Sequence, residues 1–266
     1  MSRKFGPVHV RDWGGHGAPI LLAHGMAAHT HWWDTLVPHW KGALHAAAFD
    51  FRGHGDSDWL NEGEAYTTER YAEDIETARR ALGWERFILA GHSMGARIAL
   101  DYAARHGARL RGLIAIDFLT DFRPSRDNKF SKAQTRGQPL YATEEIMLSK
   151  FRLQPPGTLL DQPGLRQLGR HGVRQGPAGW TWKFDWHGLT FPYGSVWPQL
   201  PDIAIDALIV RGEHSLILPR PALEQVAAGL PRGRALEIAG AHHHVPLDKP
   251  RELAEAVAAY AAGLPE

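Results

Sequence analysis

A serine set between glycines, Gly91-His92-Ser93-Met94-Gly95, is the place in this chain where residue type and spacing point most directly to chemistry. A serine hydroxyl becomes a useful nucleophile when a base takes its proton and the backbone holds it clear of its neighbours. The G-x-S-x-G pattern supplies the second condition, since its glycines relieve crowding at a sharp turn and leave the serine strained and exposed. An incidental serine in a glycine-rich turn would give the same bare pattern. The flanks argue against that, because the apolar run Phe87-Ile88-Leu89-Ala90 leads in and a helix-forming segment, Met94–His106, leads out. The N-terminus of such a helix also favours developing negative charge. For the base, Ala241-His242-His243-His244-Val245-Pro246 offers three candidates. The same tract has two other readings, a surface loop and a metal-binding run. Neighbouring loop histidines rarely aim three nitrogens at one ion, and no acidic cluster accompanies these, so no metal is expected.

Such groups need rigid elements to hold them. Short apolar runs at Pro19–Ala23, 44–50, 87–90, 113–116, 207–210 and 235–238 read as buried strands. Helical segments at 66–82, Met94–His106, 221–228 and Pro250–Ala262 alternate with them, and Thr30 is placed to cap a short helix carrying Trp33, Leu36 and Val37 on one face. That alternation predicts an α/β fold, a mainly parallel central sheet with helices on both faces. It breaks after Asp117. From 118 to 200 the chain is rich in Pro, Gly, Arg and Trp and shows no clear strand, so residues 1–117 and 201–266 are expected to form the core and 118–200 a lid inserted over it.

The composition narrows the partners. Thirty basic against 29 acidic residues leave a net charge of +1, which gives no reason to expect nucleic acid or an anionic membrane. With no cysteine, thiolate catalysis, disulfides and zinc–thiolate sites are excluded. The first seventeen residues lack an apolar core of the kind a signal peptide has, and no run of about 18 apolar residues occurs, so a cytoplasmic protein with a small-molecule partner is expected.

Four motifs in order resemble those of the α/β-hydrolase superfamily: His24-Gly25-Met26, then Asp50-Phe51-Arg52-Gly53-His54-Gly55-Asp56-Ser57, then the serine turn, then the histidine loop from Ala241 to Pro250. The resemblance implies an oxyanion hole built from the backbone N–H groups of Met26 and Met94. Similar families place the catalytic histidine five residues before an acidic residue and seven before a proline. Counting back from Asp248 and Pro250 selects His243, with His242 next, although His242 stands where relatives commonly carry glycine. Many relatives carry the triad aspartate after the strand that here ends at Val210-Arg211-Gly212, where this chain reads Glu213-His214-Ser215 instead. Others place it 24 residues beyond the nucleophile, which here is Asp117. Glu213 and Asp121 stand as alternatives, as does a strand-end aspartate that only anchors the lid.

A serine rather than an aspartate nucleophile points to acyl transfer, unlike the haloalkane dehalogenases and epoxide hydrolases of this fold. The resemblance therefore implies a cofactor-independent serine hydrolase acting on carboxylic esters. The same machinery suits a C–C bond hydrolase or lactonase, and a ligand-binding receptor with a vestigial site is a further reading. Trp182, Trp186 and His29 are candidates to line the substrate pocket, against the plainer expectation that insertion tryptophans pack the lid onto the core. Arg52 and Asp56 read as scaffold for their loop.

Overall fold

The computed structural model describes residues 1–122, 137–190 and 194–265. Its main sheet has eight strands: β1 (Ser2–Phe5), β2 (Val8–Gly14), β3 (Pro19–Ala23), β4 (His45–Asp50), β5 (Phe87–His92), β6 (Leu110–Ile116), β11 (Ala207–Gly212) and β12 (Gly233–Ile238). They lie in the order β1-β2-β4-β3-β5-β6-β11-β12. From β4 to β12 every pairing is parallel, while β1 and β2 form an antiparallel hairpin against β4. The central strands are apolar along most of their length because helices cover both faces. β5 and β11 accordingly carry no exposed position.

One face packs Leu21, Leu89, Leu113 and Ile209 beneath α1 (Thr68–Ala81), α2 (Met94–His106) and, further along the chain, the helix Arg220–Gly229. The other face packs Ile20, Leu22, Ile88, Ile114 and Val210 against Trp33, Leu36 and Trp40 of two short 3-10 turns and against the C-terminal helix Pro250–Ala262. Helix α1 begins where Thr67 accepts the Arg70 N–H through its side chain. Thr30 does not act in this way. His29 occupies the cap position of the first 3-10 turn, Thr30 lies inside it, and the backbone N–H of Thr30 is held by the Asp50 carboxylate at 2.7 Å. A buried acceptor outside the turn has replaced the local cap.

The break in alternation at Asp117 is real, but the stretch beyond it does contain strands. β7 (Asp121–Phe122) pairs with β10 (Gly194–Ser195), and β8 (Val173–Gly176) with β9 (Gly179–Trp182), with helices α3 (Glu144–Leu148) and α4 (Gln162–His171) between. Strands of two and four residues are too short for their alternation to show in sequence. Met147, Leu148, Val173 and Trp182 give this segment a small apolar cluster of its own. It is tied to the sheet by polar groups: Tyr66 Oη donates to Asp185 Oδ2 (2.8 Å), the Asp185 N–H to Gly53 O (2.8 Å), and Lys183 pairs with Asp56 (2.7 Å). The expected lid also spans 123–136 and 191–193, which lie outside the described residues. The remaining helices are α5 (Arg220–Gly229), α6 (Val245–Asp248) and α7 (Pro250–Ala262). Among the described residues no helix is long and apolar enough to cross a membrane.

Candidate active site

Ser93 sits between the end of β5 and the first turn of α2 with φ 55° and ψ −115°, a conformation that costs an ordinary residue roughly 1–3 kcal/mol. Two features hold it there. Its N–H donates to Ile116 O on β6 (2.9 Å), and the flanking glycines let backbone approach where a side chain would collide. A Cβ on Gly95 would lie 2.4 Å from Ala23 O, and one on Gly91 2.3 Å from Gly95 O. Ala27 and Asp117 share the positive φ of Ser93, so three of the four such non-glycine residues among those described lie at this site.

Asp117 ends β6, completely buried, with its N–H on Val210 O (2.8 Å). Its carboxylate accepts the Gly212 N–H (2.8 Å) and the Ser215 hydroxyl (2.6 Å), and its Oδ1 also meets His243 Nδ1 at 2.8 Å. Because a carboxylate only accepts, His243 donates from Nδ1 and keeps a lone pair on Nε2, which lies 3.2 Å from Ser93 Oγ. Burial pushes the Asp117 carboxyl up, to about 7, against the Ser215, Gly212 and Arg211 groups that pull it down. Burial likewise drives His243 well below the usual imidazole range, favouring the neutral ring a general base needs.

The alternatives lie elsewhere. Glu213 is exposed and accepts the Gly240 N–H at 2.8 Å, and exposed Asp121 accepts the Trp197 indole N–H at 2.9 Å. His242 bonds Asp248 through its backbone (2.9 Å) and sets its ring 5.4 Å from that of His214.

Ser93 and His243 open onto a cavity of about 590 Å³. Met26 and Met94 line it. As the first residue of α2, Met94 has an N–H without an intrahelical acceptor. The loop carrying Met26 is fixed by His24, which donates from Nδ1 to Gly25 O (2.7 Å) and accepts the Phe51 N–H on Nε2 (3.1 Å). Of the three candidate pocket residues, Trp182 and His29 line the wall, whereas Trp186 is half-buried and is not among the described lining residues. Trp186 belongs to the packing of the covering segment, where its N–H meets Gln138 Oε1 at 3.3 Å.

Several polar groups at the site escaped the sequence reading. Ser215 orients Asp117 from 98 residues away, and Asp50 is a buried hub for His9 Nδ1 and the Thr30 and Asp56 N–H groups. His92 and His244 also line the cavity. Only their adjacency to Ser93 and His243 in sequence singled them out.

Residues 18–250 match the family model of the alpha/beta hydrolase fold, and the chain belongs to that family. It is 28% identical to 2-(acetamidomethylene)succinate hydrolase of Mesorhizobium japonicum over 87% of this chain and 83% of that one. A crystal structure of E-2-(acetamidomethylene)succinate hydrolase superposes with a TM-score of 0.81 at 24% identity, covering 99% of both chains. Esterase Rv0045c of Mycobacterium tuberculosis is 26% identical over 95% of this chain and 85% of its own. A local match to the Serine hydrolase-like protein of Danio rerio, 33% identical, takes in 44% of this chain and only about a third of that protein's length (36%). The protein is an α/β hydrolase.

Proposed function

We propose that this hydrolase cleaves carboxylic esters through an acyl-enzyme on Ser93. The observation that carries the reading is the unbroken line Ser93 Oγ, His243 Nε2, His243 Nδ1, Asp117 Oδ1, with separations of 3.2 and 2.8 Å, at the edge of the cavity. Ser93 Oγ forms a bond to the acyl carbon while its proton passes to His243 Nε2, and the carbonyl oxygen takes the negative charge between the Met26 and Met94 N–H groups. Collapse of this adduct breaks the acyl–oxygen bond, and His243 returns the proton to the leaving alkoxide. Water, deprotonated by the same nitrogen, then opens the acyl-enzyme. Asp117 keeps Nδ1 protonated throughout and stabilises the imidazolium, while Ser215 and Gly212 hold Asp117 in place.

The 118–200 segment acts in this reading as a lid, with Trp182 and His29 shaping the acyl site. A relative named as an esterase supports the substrate class. A structural neighbour at 20% identity, an enol-lactonase of Burkholderia xenovorans, makes a lactone the reasonable second substrate to test. The test is a panel of p-nitrophenyl esters of increasing acyl length run beside lactones and thioesters. Turnover of simple esters, abolished in Ser93→Ala, is expected. Turnover of lactones alone would move the assignment to that class.

A further inference from the structure

Three imidazoles meet beside the nucleophile, and the hydrogen bonds around them dictate where their lone pairs lie. His92 Nε2 faces the His243 carbonyl at 2.9 Å and His244 Nε2 faces the Pro155 carbonyl at 2.9 Å. A carbonyl only accepts, so both rings donate from Nε2 and carry a bare lone pair on Nδ1. His243 is the mirror case, donating from Nδ1 to Asp117 and bare on Nε2. His92 and His244 are 2% and 3% exposed, and among the described residues nothing bonds to the Nδ1 of either. The ring centroids are 4.8 Å apart for His92 and His243, 5.0 Å for His243 and His244, and 6.1 Å for His92 and His244. One ring nitrogen from each of the three lies within 4.8 Å of the others.

We propose that His92, His243 and His244 form a binding site for a borderline transition-metal dication such as Zn²⁺ or Cu²⁺, and that the bound cation shuts the hydrolase off. Rests on the proposed function only in its second half, the loss of hydrolysis; binding stands on the three rings alone. Three neutral imidazoles facing one cavity are a donor set for Zn²⁺, Ni²⁺ or Cu²⁺, with metal–nitrogen bonds of about 2.0–2.1 Å for zinc, and a poor one for Mg²⁺ or Ca²⁺, which require oxygen. Each ring already has the outer partner that fixes such ligands, two backbone carbonyls and one carboxylate. The consequence for catalysis is direct, because the lone pair of His243 Nε2 that binds the metal is the one that must accept the Ser93 proton.

The tripeptide His242-His243-His244 does not supply this set. His242 turns toward His214, and its place is taken by His92 from the end of β5. Of the three loop histidines, His243 and His244 join the set and only His242 turns away, so the sequence expectation that these histidines would not share an ion holds for His242 alone. The third donor arrives from the sheet.

The test is calorimetric titration of ZnCl₂ into the full-length Ser93→Ala protein, which needs no substrate, beside zinc inhibition of the wild-type enzyme. One equivalent should bind, with at least tenfold weaker affinity in Ser93→Ala combined with His244→Gln or with His92→Gln, and unchanged affinity with the exposed His187→Gln. X-ray absorption should show three imidazole nitrogens on the ion. Inhibition should follow the same concentration, reverse with EDTA, and be absent with Mg²⁺. Circular dichroism identifies any variant that fails to fold, and the absorption spectrum of the Ser93→Ala protein then decides alone. Equal zinc affinity in the folded His92 and His244 variants, or no binding to Ser93→Ala, overturns the proposal. Absence of ester turnover would overturn the proposed function and leave the binding result standing.

Discussion

The two walls of the cavity are built by different means. On the sheet side, Ser93, Asp117 and His243 are held by backbone: strand ends, a strained turn, and N–H groups aimed at Asp117. On the covering side, Trp182 is held by side-chain packing against Phe151 and Phe184, and polar contacts such as Tyr66–Asp185 and Lys183–Asp56 tie the segment down. Backbone frameworks fix positions to fractions of an ångström, while a small aromatic cluster can repack with modest loss. Under the proposed function, the sheet side would carry the chemistry that must not vary, and the covering side would choose what enters.

Breaking the sheet side should have the larger effects. Ser93→Ala should fold and lose three or more powers of ten in kcat, because nucleophile and base act as one unit. A fluorophosphonate probe should label the wild type and leave this variant unmarked; activity within tenfold of wild type would sink the assignment. Asp117→Asn should cost at least about a hundredfold in kcat, since the amide invites the wrong His243 tautomer.

These sheet-side residues were also the legible ones. Leu113-Ile114-Ala115-Ile116 marks its strand, and a family count of 24 from Ser93 lands on the aspartate at its end. The hairpin β1–β2 was not legible, because β2 buries His9, whose place in the sheet depends on bonds to Ser2, Asp50 and Ser57 that no local pattern announces. On the covering side the pattern was present but short: Gly-Pro-Ala-Gly between Val173-Arg174-Gln175 and Trp180-Thr181-Trp182 is a turn between alternating residues, and it forms the β8–β9 hairpin. His92 stood out only by its place beside Ser93 and His244 only as a neighbour of His243 in the loop, because the carbonyls of His243 and Pro155 that orient them are brought near by the fold alone.

On the covering side the expected effects are smaller. Trp182→Ala should shift acyl-length preference toward longer chains by about tenfold in relative kcat/KM, the lower end of what one methylene is worth in an apolar pocket. An unchanged preference with a lowered Tm would reduce Trp182 to packing. The same substitution at Trp186, away from the described cavity wall, should leave the preference where it was. Smallest of all, Glu213→Gln should cost less than tenfold in kcat, because it retains an acceptor for the Gly240 N–H. A larger loss than that of Asp117→Asn would reassign the acid.

The buried histidines carry a consequence for where in pH this protein can exist. Burial keeps His24, His92, His243 and His244 below the ordinary imidazole range and holds His29 and His54 at about 3. Unfolding exposes each to water, where it titrates near 6.5. The unfolded chain therefore binds more protons than the native one once pH falls below that value. For His29 and His54 this removes about 1 kcal/mol each by pH 6, while Asp74 and Asp117, pushed up by burial to about 7, take up protons in the folded state over the same range and oppose the loss. Urea titrations of the wild type and His54→Gln at pH 7.5 and pH 6 should differ: the variant, whose side chain has no proton to gain, should keep more of its midpoint on acidification, and equal pH shifts in the two would rule out a neutral His54 in the fold.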